Sequence, residues 1–231
     1  MKDDPSTRRA SAPGRRAINA LWDWLFPPQC VACDARGAWL CPACLQEIIY
    51  LSAPWPQHSE SFAPLANARS AARLQTPLRE AIHAFKYSGV RVLADVLGEI
   101  LHRGWAQEPW DVDVVVPVPL HSGRLRERGY NQSALLALEL SARTGLPVVD
   151  SVLVRHSPTR PQVGLSAMER AENVRNAFRC ASSALASAEI LLVDDVWTTG
   201  STMRACGEAL LAGGAKTVWG LTLAHAHSVA D

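Results

Sequence analysis

The chain has 231 residues, 48% hydrophobic and 19% charged, and a formal net charge of +1. A chain this long buries roughly 70% of the surface its unfolded form exposes, so a full core needs no disulfides. With 14 Gly, 15 Pro and 6 Cys it is no collagen, disordered tail or disulfide-dense toxin, and its near-neutral charge argues against a coat for nonspecific nucleic-acid binding.

Residues 1–16 carry Arg8, Arg9, Arg15 and Arg16 among Ser, Pro and Gly and read as a solvated basic arm. Residues 17–50 form the next unit. In Ala17 to Phe26, Ile18, Leu21, Trp22 and Leu25 recur at helical spacing. Pro27 and Pro28 end that helix. Asp23 and the lack of a small-residue cleavage site make it a poor secretory signal, so the chain is expected in the cytoplasm. The stripe fits docking on its own protein. With the basic arm, Trp22 and Trp24 it also fits peripheral contact at the inner membrane, while no apolar run reaches the ~20 residues of a spanning helix.

Cys30, Cys33, Cys41 and Cys44 follow as C-x2-C-x7-C-x2-C. Two CxxC turns present four thiolates, the complete tetrahedral shell of a structural zinc ion. Paired disulfides do not suit a reducing cytosol, and a thioredoxin-like redox site lacks a second CxxC close upstream. A zinc knuckle this small has no core of its own, so metal is expected to drive its folding. Cys180 and Cys206 stand alone and read as buried thiols.

The third unit, 60–225, alternates helices and strands. Pro77 to Tyr87 and Val92 to Leu101 are predicted helices, and Val112 to Pro119 a strand buried on both faces. A polar loop leads to a helix at Asn131 to Thr144 and a weak strand at Val148 to Val154. Residues 155–167, with Pro158, Pro161 and Gly164, are predicted as a long loop. Ile190 to Val193 is a strand, Ser201 to Ala212 a helix and Lys216 to Leu223 a last strand. This alternation implies an α/β fold with a doubly wound, mostly parallel sheet.

Basic residues cluster at 69–91 (Arg69, Arg73, Arg79, Lys86, Arg91) and 155–179 (Arg155, Arg160, Arg170, Arg175, Arg179), and only Lys2, Lys86 and Lys216 are lysine. Two explanations stand: bidentate phosphate recognition, or a GC-rich genome. Lys86 with Tyr87 reads equally as a phosphate or base contact or as a snorkelling helix end.

The most informative segment is Ile190 to Thr202, ILLVDDVWTTGST. A buried strand runs into Asp194 and Asp195, then a hydroxyl- and Gly-rich turn, then a helix. Ligands in open α/β sheets bind beyond the carboxyl ends of strands. Paired acids there accept from sugar hydroxyls or meet a metal. Thr198, Thr199, Gly200, Ser201 and Thr202 offer backbone N–H groups and hydroxyls at a helix N-terminus, a phosphate cradle. Together they describe a sugar-phosphate site. A Walker loop is excluded, since no GK[ST] follows.

That segment resembles the signature by which type I phosphoribosyltransferases bind 5-phosphoribosyl 1-pyrophosphate (PRPP). With FKYSG at Phe85 to Gly89, VPVPLHSGRLRERGYNQ at Val116 to Gln132, and Arg155, Thr159, Gln162, Leu165, Arg170, Asn173 and Ala177-Phe178, the chain from Phe26 to Leu223 is similar to the ComF family, whose members carry an N-terminal four-cysteine zinc module. The resemblance implies a type I phosphoribosyltransferase-like fold behind a zinc knuckle. It implies that Asp194 and Asp195 hold the ribose hydroxyls and Thr198 through Thr202 the 5′-phosphate. Pyrophosphate would lie on Pro117 to Leu120 and a basic loop of Arg124, Arg126 and Arg128, under a hood at 156–170 whose Arg160 and Arg170 meet the departing charge. Trp197 stands at a variable position of the signature.

If transfer occurs, Mg²⁺ accompanies PRPP and stabilises the leaving group, while fixed dipoles and arginines stabilise charge separating at C1′. The sequence names no acceptor. The resemblance further implies single-stranded DNA and the DNA-uptake machinery of natural transformation as partners. The same pocket therefore reads either as a ligand sensor in a DNA-handling protein or as a phosphoribosyltransferase acting on a nitrogen acceptor. An interaction scaffold with a decayed pocket is disfavoured by the intact DDVWTTGST.

Overall fold

In the computed structural model the described residues are 27–52, 62–156 and 177–226. The basic arm, the stripe at 17–26, and Arg160 and Arg170 of the expected hood lie outside them. In chain order the elements are α1 (Pro42–Gln46), β1 (Asn67–Arg73), α2 (Leu78–Tyr87), α3 (Leu93–Ala106), β2 (Val114–Pro117), α4 (Ser122–Arg128), α5 (Gln132–Thr144), β3 (Leu153–Arg155), β4 (Phe178–Cys180), β5 (Glu189–Trp197), α6 (Ser201–Ala212) and β6 (Thr217–His225).

Four strands form a parallel sheet in the order β1-β6-β5-β2. Strand β5 shows why the sheet is wound on both sides. Side chains alternate across a strand, and here both directions are apolar. Leu191 and Val193 join a core with Phe85, Leu97, Leu101 and Leu136 from α2, α3 and α5. Ile190 and Leu192 join a second core with Met203 and Leu210 from α6. Each such buried side chain contributes about 1.5–3 kcal/mol, which fixes the sheet between two helical layers.

Most predicted elements are present, with shifted ends. β5 continues past Val193 to Trp197 and carries both acids, and α3 runs on to Ala106. The predicted strand at Val148 to Val154 divides into a single bridge, Val148 to Val115, and the short β3, which pairs antiparallel with an unanticipated β4.

Besides α1 and β4, two further elements were missed, each for an identifiable reason. β1, NARSAAR, has no β-branched residue, yet its middle five residues are buried. Its alanines admit close neighbours, and a Cβ on Gly104 of α3 would lie 2.6 Å from the Ala71 Cβ. Ser70 and Thr222 share a 2.6 Å hydrogen bond from β1 to β6. Arg69, the first of the basic cluster at 69–91, is 3% exposed. Its guanidinium lies 4.0 Å from the Trp110 ring centroid and donates to the Trp105 carbonyl at 3.0 Å, and burial lowers its pKa to about 10.

The second is α4, where a polar loop was expected. His121 caps it, its Nδ1 accepting from the Gly123 amide at 3.2 Å, and Gly129 ends it at φ 76°, a left-handed conformation that suits glycine. Arg124, Arg126 and Arg128 therefore lie on a helix. Residues four apart share a helix face while those two apart do not, so Arg124 and Arg128 point together and Arg126 elsewhere.

The cysteine module is not a free-standing knuckle. Cys30, Leu40, Cys41, Cys44 and Ile48 belong to the same core as α2, α3 and α5. The chain after α1 runs along the outer edge of β1, the Leu51 amide donating to the Ala71 carbonyl and the Arg73 amide to that of Ile49, both at 2.9 Å. Gln107 closes the joint by donating to the Leu51 carbonyl at 3.0 Å.

Because α3 sits on β1 with no room for a methyl group, Gly104→Ala should cost about 1–3 kcal/mol of stability by overpacking, although Ala is the better helix former. Chemical denaturation measures this, and an unchanged or raised midpoint would show that the helix can lift off the strand.

Candidate functional site

Strand β2 pairs with β5 only as far as Pro117 opposite Val193, and the Val118 amide donates to the Val193 carbonyl at 2.9 Å. Asp194 and Asp195 extend beyond that point, where the crevice of an open α/β sheet lies. A cavity of about 140 Å³ forms there.

The Asp194 Oδ1 accepts from the Ser133 hydroxyl at 2.7 Å and from the Asp195 amide at 2.9 Å. Burial, then the adjacent charge of Asp195, raises the Asp194 pKa to about 7, against the hydrogen bonds and the more distant Lys86. Asp195 is 4% exposed. Its Oδ1 lies 2.8 Å from Lys86 Nζ, while its Oδ2 is buried with no hydrogen-bond partner among the described residues. A buried carboxylate oxygen without a donor costs free energy, which a ligand hydroxyl reaching it would offset.

The cavity brings together Lys86, Arg124, Arg128, Asp194, Asp195 and Thr202 from the expected site residues, with Val118, Pro119 and Leu120 of the expected pyrophosphate turn. Thr198, Thr199 and Gly200 form the turn leading into α6 and Ser201 opens that helix; none of the four lines the cavity. In that turn the Thr199 and Ser201 hydroxyls are 3.0 Å apart, and Gly200 adopts φ 72°. A Cβ on Gly200 would lie 2.3 Å from the Trp197 ring. Trp197 is thus a floor beneath the turn, buried and edge-on to Phe62 with centroids 5.9 Å apart; it does not line the cavity. Arg126 does not line it either.

Three residues enter the site without having been expected there. Arg155, at the end of β3, lines the cavity with its guanidinium 5.2 Å from the Phe178 ring centroid. Burial lowers its pKa, as does the charge of Arg124. Gln132 lines it too and accepts from Arg128 at 2.6 Å. Ser133 holds Asp194. The signal was the polar run Asn131-Gln132-Ser133 opening a helix, which capping alone explains only at Asn131, whose side chain accepts from the Ser133 amide at 3.1 Å. Lys86, Arg124, Arg128 and Arg155 face two acids here, a positive surplus suited to a polyanion.

The four cysteine sulfurs lie within 4.8 Å of one another, with Cys30 to Cys44 at 3.7 Å and Cys33 to Cys41 at 3.6 Å. Four sulfurs ~2.3 Å from one tetrahedral ion are separated by ~3.8 Å, so the set fits structural zinc, with no position left for a substrate. At Cys30 burial opposes ionisation, but amides led by that of Cys41 outweigh it and lower the thiol to about 6. Burial pushes the Cys44 thiol up, so the cluster asks for a cation. Cys206 is wholly buried and the Cys180 thiol donates to the Ser182 carbonyl at 3.0 Å.

A parallel sheet whose central strand ends in two acids, followed by TTGST at a helix start, defines a type I phosphoribosyltransferase-like domain, here behind a four-cysteine zinc module. Residues 21–58 match the family model of the double zinc ribbon domain. The chain is 31% identical over 204 residues to the DNA utilization protein YhgH of Escherichia coli, covering 86% of this chain and 89% of that protein. It is 40% identical over 116 residues to competence protein F of Haemophilus influenzae, covering 48% of this chain and 51% of that protein. It is 24% identical over 231 residues to the amidophosphoribosyltransferase of H. influenzae, covering 94% of this chain and 42% of that protein. The chain belongs to the ComF family.

Two predictions follow the geometry. Cys30→Ser with Cys33→Ser should release zinc and, because Cys30 is inside the shared core, lower the unfolding midpoint of the whole chain rather than add a separate early transition. Elemental analysis with a circular dichroism melt reads both, and unchanged zinc would refute the ligand set. A carboxyl whose folded pKa is raised keeps a proton that the unfolded chain has released, so Asp194 lowers stability progressively as pH rises from about 4 to 7. Asp194→Asn should remove that dependence, and urea midpoints should favour the variant increasingly between about pH 5 and pH 8. A gap constant with pH would show that Asp194 titrates normally.

Proposed function

We propose that this chain binds PRPP at the crevice beyond β5 and, as a ComF-type protein, acts in DNA uptake during natural transformation. One observation carries the ligand: paired acids, one with an unpartnered buried oxygen, face a cavity with surplus positive charge beside the TTGST turn. Asp194 and Asp195 accept from the ribose hydroxyls. Backbone amides of the turn, with the hydroxyls of Thr198, Thr199, Ser201 and Thr202, seat the 5′-phosphate. Lys86, Arg124, Arg128 and Arg155 meet the pyrophosphate, Gln132 holding Arg128 in place. Arg160 and Arg170 are assigned to the departing charge on the family resemblance.

A Mg²⁺ ion accompanying the ligand would lie near the carboxylates of Asp194 and Asp195 and would neutralise leaving-group charge there. The residues themselves bind, orient and neutralise. Lys86 already sits on Asp195 Oδ1, so an arriving polyanion competes for its ammonium and opens that oxygen to the sugar. The relatives' names, competence protein F and DNA utilization protein YhgH, support the cellular role. Single-stranded DNA and the uptake machinery are the partners proposed. Among the described residues no helix is long and apolar enough to cross a membrane.

The alternative reading is an active phosphoribosyltransferase with a nitrogen acceptor, supported by the similarity to an amidophosphoribosyltransferase. Calorimetric titration of the zinc-loaded chain with PRPP, with and without Mg²⁺, should show saturable binding that Asp194→Asn with Asp195→Asn abolishes while the circular dichroism spectrum is retained. No heat with the unaltered chain would refute the ligand. Pyrophosphate release across a panel of bases and amines separates enzyme from sensor.

A further inference from the structure

The cysteine module meets α2 at a cleft of about 520 Å³, lined by Val31 of the module, by Glu80, His83 and Ala84 of α2, and by Ser88 and Val90 beyond that helix. It shares no lining residue with the cavity at the acids of β5. Its walls are largely apolar: Ala84 is buried, and Val31 and Val90 pack on the core while staying partly open. Trp39, whose carbonyl accepts from the Val31 amide at 3.0 Å, is 40% exposed on the module side.

Glu80 is the polar feature. Its Oε1 accepts from the Thr76 hydroxyl at 3.1 Å and from Arg79 Nη2 at 2.8 Å. Its Oε2 is buried with no hydrogen-bond partner among the described residues. An oxygen in that state favours an occupant that is apolar in bulk and carries one N–H or O–H. The chain holds such a group close by. The stripe Ile18, Leu21, Trp22 and Leu25 lies just before Pro27, and the Pro28 carbonyl is fixed on the module by the Gly37 amide at 2.8 Å. The few residues between Leu25 and Val31 span at most about 20 Å, so the tethered stripe meets the cleft at an effective concentration on the order of millimolar, well above that of a second copy in dilute solution. Trp22 supplies a large apolar ring with a single donor, the indole N–H, which needs an acceptor when buried.

We infer that residues 17–26 of this chain dock in the cleft between the cysteine module and α2, Trp22 and Leu25 packing against Val31, Ala84 and Val90 and the Trp22 indole N–H donating to Glu80 Oε2. The docked stripe braces the module on the helix whose end carries Lys86 to Asp195. The inference stands independently of the PRPP assignment.

The test uses the full zinc-loaded chain carrying Trp22→p-benzoylphenylalanine, a photoreactive aromatic side chain, irradiated as an equal mixture of isotopically light and heavy protein. Cross-links should run within one chain, from position 22 to residues 79–90 or Val31. Ser88→Arg, which crowds the cleft from an exposed position, should lower their yield about tenfold. In hydrogen exchange, Trp22→Ala should let the amides of 79–90 exchange about tenfold faster than in the unaltered chain, with Trp22→Phe, which keeps a ring and loses the N–H, between the two. Zinc content and the circular dichroism spectrum show that each variant folds. Cross-links joining light to heavy chains would assign the cleft to a second copy, and cross-links to lipid alone when phosphatidylglycerol vesicles are supplied would assign the stripe to a membrane surface; either result overturns the docking. So would cross-links elsewhere in the chain, or unchanged exchange at 79–90 in Trp22→Ala. Trp22→Phe exchanging like the unaltered chain would remove the Glu80 contact.

Discussion

Asp194 and Asp195 are adjacent negative charges at the end of a strand whose preceding four residues are fully buried, and the pocket is organised around that charge. Removal from water and the neighbouring carboxylate raise the cost of ionising Asp194. Ser133, the Asp195 amide and Lys86 offset part of it. Asp195 Oδ2 is left over. A strand that ended in two apolar residues would leave a more stable sheet and no site. The compensating groups come from the end of α2 and the start of α5, so the elements that pack the sheet also deliver the charges that balance its acids.

The cysteine module belongs to the same arrangement. It contributes three of its four cysteines to the core beneath α2 and α3 and runs along the open edge of β1. An exposed edge strand is a hazard for pairing between chains, and this segment covers part of it. Metal at the four sulfurs therefore bears on the placement of α2, which carries Lys86 and Tyr87 at its end. The cysteine module thus packs under the helix whose end reaches the crevice beyond β5.

The arginines show how far composition carries an argument. The same residue type is buried against two tryptophans at Arg69, stacked on Phe178 at the cavity wall at Arg155, and paired with an exposed tyrosine at Arg128. Arg124 and Arg128 reach the site and Arg126 does not, a consequence of helical rather than extended geometry at 122–128. Clustering in sequence left phosphate recognition and a GC-rich genome as equal explanations; the backbone conformation decided which arginines reach the cavity.

By itself the sequence determined the alternation of strands and helices, the clustered cysteines and the strand–acids–turn–helix segment at 190–202, because each is written in local spacing: apolar runs of strand length, paired CxxC turns, and two acids before a glycine-containing turn at a helix start. Tertiary structure alone decided the rest. NARSAAR is a strand because β6 and Gly104 leave room for small side chains, a property of its neighbours rather than of its own residues. Lys86, Arg155 and Ser133 meet the acids because parallel strands place residues far apart in the chain at one sheet end. Trp197 lies beneath the TTGST turn rather than in the pocket because Gly200 leaves its ring the space there. Such convergence depends on register and packing between distant segments, which no local spacing encodes.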